Sequence, residues 1–207
     1  MFKTQSTTKQ AKPVAALGLW LMVLGLISLT LTACQSYQFK GTEYPDPQQS
    51  PDFELTSTDG ERFRLSDQQG QIVLMFFGYT SCPDVCPTTL AEANQILRGL
   101  GEDADQVEFL FITVDPERDT AAVLDTYVTA FHPAITGLSG TPDELSAVRQ
   151  DYGVFAEKEV LENSAAGYVV NHTARIFLVD AEGQLRLSYS FGTPPEDILE
   201  DIKHLQS

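Results

Sequence analysis

Six consecutive apolar residues, Ile72-Val73-Leu74-Met75-Phe76-Phe77, form the most constraining stretch of this chain. A continuous apolar run with no polar alternation reads as a central strand covered on both faces. Such a strand requires helices packed on a sheet. The sequence that follows supplies one. A helix is expected from Pro87, a residue tolerated at the first helical position, with Leu90, Ala93, Leu97 and Leu100 as its buried stripe. Gly99 and Gly101 then stop it.

The alternation continues along the chain. Strands are expected at Val107 to Val114 and Ile135 to Leu138, and helices at Thr120 to Phe131, Pro142 to Tyr152 and Pro194 to Leu205. Two hairpins add antiparallel pairs. Phe53-Glu54-Leu55 and Arg62 to Leu65 flank Asp59-Gly60, while Ile176 to Val179 and Leu185 to Tyr189 flank Asp180 to Gly183. The pattern predicts the α/β class: a mixed central sheet flanked by helices, with an N-terminal hairpin, as in the thioredoxin fold. Glu157 to Val170 reads as a loop or small hairpin with no assigned place in that sheet.

The N-terminus has a different character. Lys3, Lys9 and Lys12 precede an apolar run from Val14 to Leu31, the order of a secretory signal. The run ends in Leu31-Thr32-Ala33-Cys34, which resembles a bacterial lipobox with lipid on Cys34. An uncleaved transmembrane anchor is the other reading, since the run is nearly long enough to span a bilayer. Either places the rest of the chain outside the cytoplasm, on the periplasmic side of a bacterial membrane. The expected organisation is a targeting segment at 1–33, a lipidated cysteine and tether at 34–51, and one domain at 52–207. Three of the 13 basic residues lie in the leader, which leaves 10 against 29 acids and a formal charge of −19. That balance argues against nucleic acid as a partner and against docking on anionic lipid.

With Cys34 assigned to the anchor, the domain keeps only Cys82 and Cys86. A disulfide closing so short a loop would stabilise little, so the pair is better explained by chemistry. It lies in Tyr79-Thr80-Ser81-Cys82-Pro83-Asp84-Val85-Cys86-Pro87, between the buried strand and a helix start. Unpaired N–H groups and the positive dipole end there favour thiolate, the form that attacks disulfides and binds soft metals. Redox chemistry therefore competes with metal binding. Thioredoxin-type oxidoreductases carry Cys-x-x-Cys at this place and a cis-proline before a later strand. Here the spacing is one residue longer, and Val170 to Val179 contains no proline. The threonine that peroxiredoxins place three residues before the attacking cysteine is replaced by Pro83 or Tyr79.

Of the three histidines, His204 reads as an exposed residue near a helix C-terminus, and His132, before Pro133, as structural. His172 differs. It precedes a predicted core strand, where a thioredoxin-like chain returns to its active helix. Two thiolates and one imidazole suit copper, either Cu(I) or Cu(II), by softness and geometry. Zinc competes, with Asp84 or water as a fourth ligand, although structural zinc favours four closed ligands.

These residues carry a resemblance. Thr80-Ser81-Cys82-Pro83-Asp84-Val85-Cys86-Pro87 resembles the copper-binding signature of the Sco/SenC family. Thr113-Val114-Asp115-Pro116-Glu117-Arg118-Asp119-Thr120 and Asn171-His172-Thr173 resemble its second and third motifs, the latter often carrying aspartate before the histidine. The resemblance covers about Pro51 to Leu205, and His172 follows Cys82 by 90 positions, close to the family spacing. It implies a thioredoxin-like fold and one copper held by Cys82, Cys86 and His172. It further implies a role in building the copper A centre of cytochrome c oxidase. The implied partners are the copper-bearing oxidase subunit, other copper chaperones or a thioredoxin-like reductant. A thiol–disulfide reductase acting on oxidase cysteines is the alternative. Asp84 would support the ligands or cap the helix, Asp115 and Pro116 would shape a loop, and Asn171 would remove a charge beside the ligand.

Overall fold

The computed structural model describes residues 37–162, 164 and 167–207. The apolar run at Val14 to Leu31 and Cys34 lie outside the described residues. Among those described, no helix is long and apolar enough to cross a membrane.

The predicted central strand is β4 (Ile72–Gly78), with every residue buried. Full burial of a side chain such as Leu74 or Phe77 is worth about 1.5–3 kcal/mol, so this strand anchors the core. It pairs in parallel with β5 (Val107–Thr113), which pairs in parallel with β6 (Ile135–Ser139). On its other side β4 runs antiparallel to β9 (Arg175–Val179), which forms a hairpin with β10 (Leu185–Ser190). The N-terminal hairpin, β2 (Glu54–Ser57) with β3 (Arg62–Arg64), extends the sheet beyond β6. With β1 (Thr42–Glu43) against β10, the eight-stranded order is β1-β10-β9-β4-β5-β6-β2-β3. This is the expected mixed sheet.

Four α-helices occur among the described residues: α1 (Val85–Leu100), α2 (Ala121–Phe131), α3 (Pro142–Asp151) and α4 (Pro195–Leu205). Helix α1 begins two residues before Pro87, so that proline occupies the first turn, where its missing N–H costs no helical bond. The stop is Gly101, whose φ of 61° suits a residue without a Cβ; Gly99 lies inside the helix. Helix α3 starts with a complete capping box between Thr141 and Glu144.

Two stretches are more ordered than their composition announces. The tether was expected to run to residue 51, yet the chain is fastened to the domain from Phe39 onward. The backbone N–H groups of Lys40 and Gly41 donate to the buried Asp201 carboxylate of α4 at 2.9–3.0 Å. Ser50 Oγ lies 2.6 Å from the Tyr152 hydroxyl. Its Gly, Pro and Gln content hid this attachment, because backbone and polar contacts rather than an apolar period hold the segment. The unplaced stretch is also resolved. It forms β7 (Ala156–Val160) and β8 (Tyr168–His172), a two-stranded ribbon separate from the main sheet.

Candidate metal centre

The site forms where three elements end together. Strand β4 delivers Gly78, the loop after it carries Cys82, the first turn of α1 carries Cys86, and the last residue of β8 is His172. His172 was expected in a loop entering a strand; it instead closes β8, paired with Ala156. The sulfurs of Cys82 and Cys86 and an imidazole nitrogen all lie within 4.8 Å of one another. This is the Cys-Cys-His set that the motifs pointed to. No other group of three such ligands occurs among the described residues.

Local chemistry explains the arrangement. Both cysteines are free thiols, Cys86 fully buried and Cys82 half-buried. The backbone N–H of Cys86 donates to Cys82 Sγ at 3.4 Å, so the sulfur takes the role of a helix cap. Asp84, at the N-cap position, makes no capping bond with its side chain and is exposed. The Cys86 thiol next to it, followed by His172 and the N–H groups of Asp84 and Cys86, pulls the Cys82 thiol well below its ordinary pKa, against the opposing cost of burial. The thiol of Cys86 is pushed up, because it keeps the proton it donates to Cys82 and is buried. The pair thus holds one thiolate and one proton near neutrality.

His172 Nε2 stands 3.6 Å from Cys86 Sγ, and Nδ1 lies 3.2 Å from the Thr173 carbonyl oxygen. In the tautomer whose Nδ1–H donates to that carbonyl, Nε2 is free to offer its lone pair to a metal held by the sulfurs. The ring is steadied edge-to-face by Phe76 at 6.0 Å and Tyr79 at 5.9 Å. A metal about 2.3 Å from sulfur and about 2.0 Å from nitrogen, at a trigonal angle, holds those donors about 3.7 Å apart. The Cys86–His172 separation fits that spacing, and with all three donor atoms within 4.8 Å the set could hold one soft or borderline metal ion.

The second motif supplies no donor but frames the site. Asp119, 1% exposed, accepts from Thr80 N and Oγ1 and from Thr113 Oγ1, which fixes the start of the cysteine loop. Burial raises its carboxyl above the usual range. Asp115 is also buried and engages Arg118 and Tyr168. His132 and His204 stand apart from the cluster, as expected. The first accepts from Ala134 N at 3.2 Å at the end of α2, and the second stacks edge-on with Phe39 in the last turn of α4. Sequence reasoning missed Gly78, Phe76 and Tyr79. A glycine closing an apolar strand four residues before Cys82 was the available signal.

Asn171 faces away from the site, its amide donating to Glu159 Oε2 at 2.8 Å on the exposed side of the ribbon. Strand alternation sends His172 to the other face. The charge beside the ligand that the resemblance implied is therefore not aimed at the metal position.

A mixed α/β sheet with a Cys-x-x-x-Cys helix start and a returning histidine defines a thioredoxin-like domain with a metal-competent centre. Residues 41–207 match the SCO1/SenC family model, and the chain belongs to that family. It is 34% identical over 152 residues to an SCO2-like protein of Rickettsia felis, spanning 73% of this chain and 74% of that one. Bradyrhizobium japonicum ScoI, solved with copper bound, superposes with a TM-score of 0.70 at 40% identity, covering 76% of this chain and 99% of that one. Apo Sco1 from Thermus thermophilus gives 0.73 at 39% identity, covering 83% and 99%.

Proposed function

We propose that this chain is an extracytoplasmic copper metallochaperone that binds one copper ion through Cys82, Cys86 and His172. It would deliver that ion to the copper A centre of cytochrome c oxidase, or prepare the centre to receive it. The observation that carries this reading is the meeting of two sulfurs and one imidazole nitrogen within 4.8 Å. Soft sulfur donors select Cu(I), and the added nitrogen accommodates Cu(II). The copper-bound relative from Bradyrhizobium japonicum supports the choice of metal over zinc. Copper here is cargo: Cys82 and Cys86 grip it, and His172 adjusts the grip with oxidation state. The half-buried Cys82 offers the route by which an incoming thiolate of the receiving protein displaces a ligand. The lipobox at Leu31 to Cys34 supports a membrane-tethered protein on the periplasmic side.

A second reading, thiol–disulfide exchange on oxidase cysteines, is favoured by the contact of two free thiols in which Cys86 lowers the Cys82 pKa and is itself pushed up. One experiment separates the two. Cu(I) is titrated into the reduced and the oxidised protein, and turnover of a disulfide substrate is followed in parallel. The chaperone reading expects stoichiometric copper in the reduced form and none in the oxidised form. Equal tight binding in both, or a metal-free protein that turns over disulfides, overturns it.

A further inference from the structure

The ribbon of β7 and β8 carries His172 yet pairs with no strand of the main sheet among the described residues. Four of the five residues of β7 are exposed. A hollow of about 240 Å³ is lined by Val114, Leu145 and Arg149 of the body and by Ala156 and Val170 of the ribbon. Among the described residues no backbone ladder joins the ribbon to the main sheet; Val170 is buried in the core, Tyr79 meets the Val170 backbone, and Val154 N donates to Arg149 O at 2.7 Å just before β7.

The loop after β5 adds a polar knot at the Tyr168 end of the ribbon. Arg118 Nε lies 2.5 Å from Asp115 Oδ2, and Asp115 is fully buried. The Tyr168 hydroxyl donates to Asp115 Oδ1 at 2.8 Å, and Arg118 Nη1 donates to the Tyr168 carbonyl at 3.1 Å. The guanidinium also lies 3.7 Å from the Tyr168 ring centroid and 5.5 Å from that of Tyr79. Tyr79 in turn packs on His172. Outside this knot, Lys158 of β7 meets Glu117 at 2.6 Å, a more exposed pair of smaller worth.

We propose that Arg118, held by Asp115 and stacked on Tyr168, is a positioning residue of the metal centre: it fastens the Tyr168 end of the unladdered ribbon to the end of β5 and thereby helps to set His172 against the two sulfurs. The inference rests on the reading of His172 as a copper ligand. Guanidinium is suited to the task because its planar fork bonds a carboxylate and a carbonyl while its face stacks on an aromatic ring. Lysine could not do all three.

The test compares wild type, Arg118→Met and Tyr168→Phe in the full-length, detergent-extracted protein. Hydrogen exchange is measured without metal, and both copper affinities are then determined. In Arg118→Met, amides of Ala156–Val160 and Tyr168–His172 should exchange about tenfold faster or more, the scale of losing hydrogen bonds to a charged group, while β4 and β5 keep their protection. Cu(II) affinity should fall by a similar factor and Cu(I) affinity by much less. Unchanged ribbon protection overturns the proposal, as does loss spread evenly over β4 and β5, or faster ribbon exchange with Cu(II) affinity intact. If Arg118→Met does not fold, Tyr168→Phe, which removes only the bond to Asp115, carries the same readouts. His172→Ala serves as the control: wild-type Cu(II) affinity there would remove the ligand reading while leaving the exchange result to stand.

Discussion

A Cβ built on Gly78 would lie 2.9 Å from Cys86 Sγ, closer than real Cβ contacts come, and equally close to the Phe111 ring. The last residue of β4 is therefore bare because the buried sulfur occupies the space its side chain would need. Gly78→Ala should force Cys86 or Phe111 aside, at about 1–3 kcal/mol, the usual cost of overpacking a core. Thermal unfolding and Cu(I) competition should both register the change. Wild-type values in both would show that the sulfur is not confined there.

The three donors should differ by copper oxidation state. His172→Ala should weaken Cu(II) binding by more than the roughly 10–100-fold that follows loss of a group supporting a ligand, and Cu(I) binding only mildly. Cys82→Ala and Cys86→Ala should damage both. Because the loss is unequal, His172→Ala should raise the copper reduction potential. Competition titrations with both ions decide the matter, and a His172→Ala protein with intact Cu(II) affinity would show the site wrongly drawn.

Reactivity of the metal-free pair should be asymmetric. The Cys82 pKa is lowered, chiefly by the Cys86 thiol, so Cys82 is thiolate across the neutral range and its alkylation rate should be nearly flat there. An ordinary thiol would gain about tenfold in rate per pH unit below its pKa. The sign for stability follows: a depressed pKa gives a contribution that is complete above the unfolded thiol value and lost as pH falls towards the folded one. Alkylation of Cys82 that climbs steeply with pH near neutrality would contradict this account.

Asn171→Asp tests whether the residue beside the histidine tunes the metal. Its amide bonds Glu159, so aspartate would set two like charges together and loosen the ribbon by about 0.2–1 kcal/mol. Cu(II) affinity should stay within about threefold of wild type, because the substituted side chain faces away from the donors. A change beyond tenfold, about 1.4 kcal/mol, would mean that residue 171 acts on the metal directly.

Cys34→Ser should abolish lipid attachment and processing at that site while leaving the metal domain folded. Mass spectrometry of the membrane-extracted wild type should show a chain beginning at a lipid-modified Cys34. An intact chain retaining Met1 to Ala33 would instead establish the transmembrane anchor.

Much of this was legible before any coordinates, for identifiable reasons. The strand Ile72 to Phe77, the stripe of Leu90, Ala93, Leu97 and Leu100, and the two hairpins are periodic or punctuated by turn residues, and such signals survive in one dimension. The three donors were legible because chemistry limits which side chains can serve. What escaped depends on approach between distant segments. Asp201 holding Lys40 and Gly41, and Arg118 reaching Tyr168, are contacts across many residues with no period to announce them. The ribbon was legible only as a loop or small hairpin without a place, because its strand β7 is almost wholly exposed and so shows no alternation of burial.

The sheet ends on both sides in very short strands, two residues in β1 and three in β3. On β3, Arg62 and Arg64 both reach Glu54 of the neighbouring strand, covering the rim with charge. A neighbouring copy arriving side by side therefore finds almost no open row of amides to extend and meets ionised groups where it would have to dock. Edge-to-edge zipping of this sheet into fibres should accordingly be disfavoured.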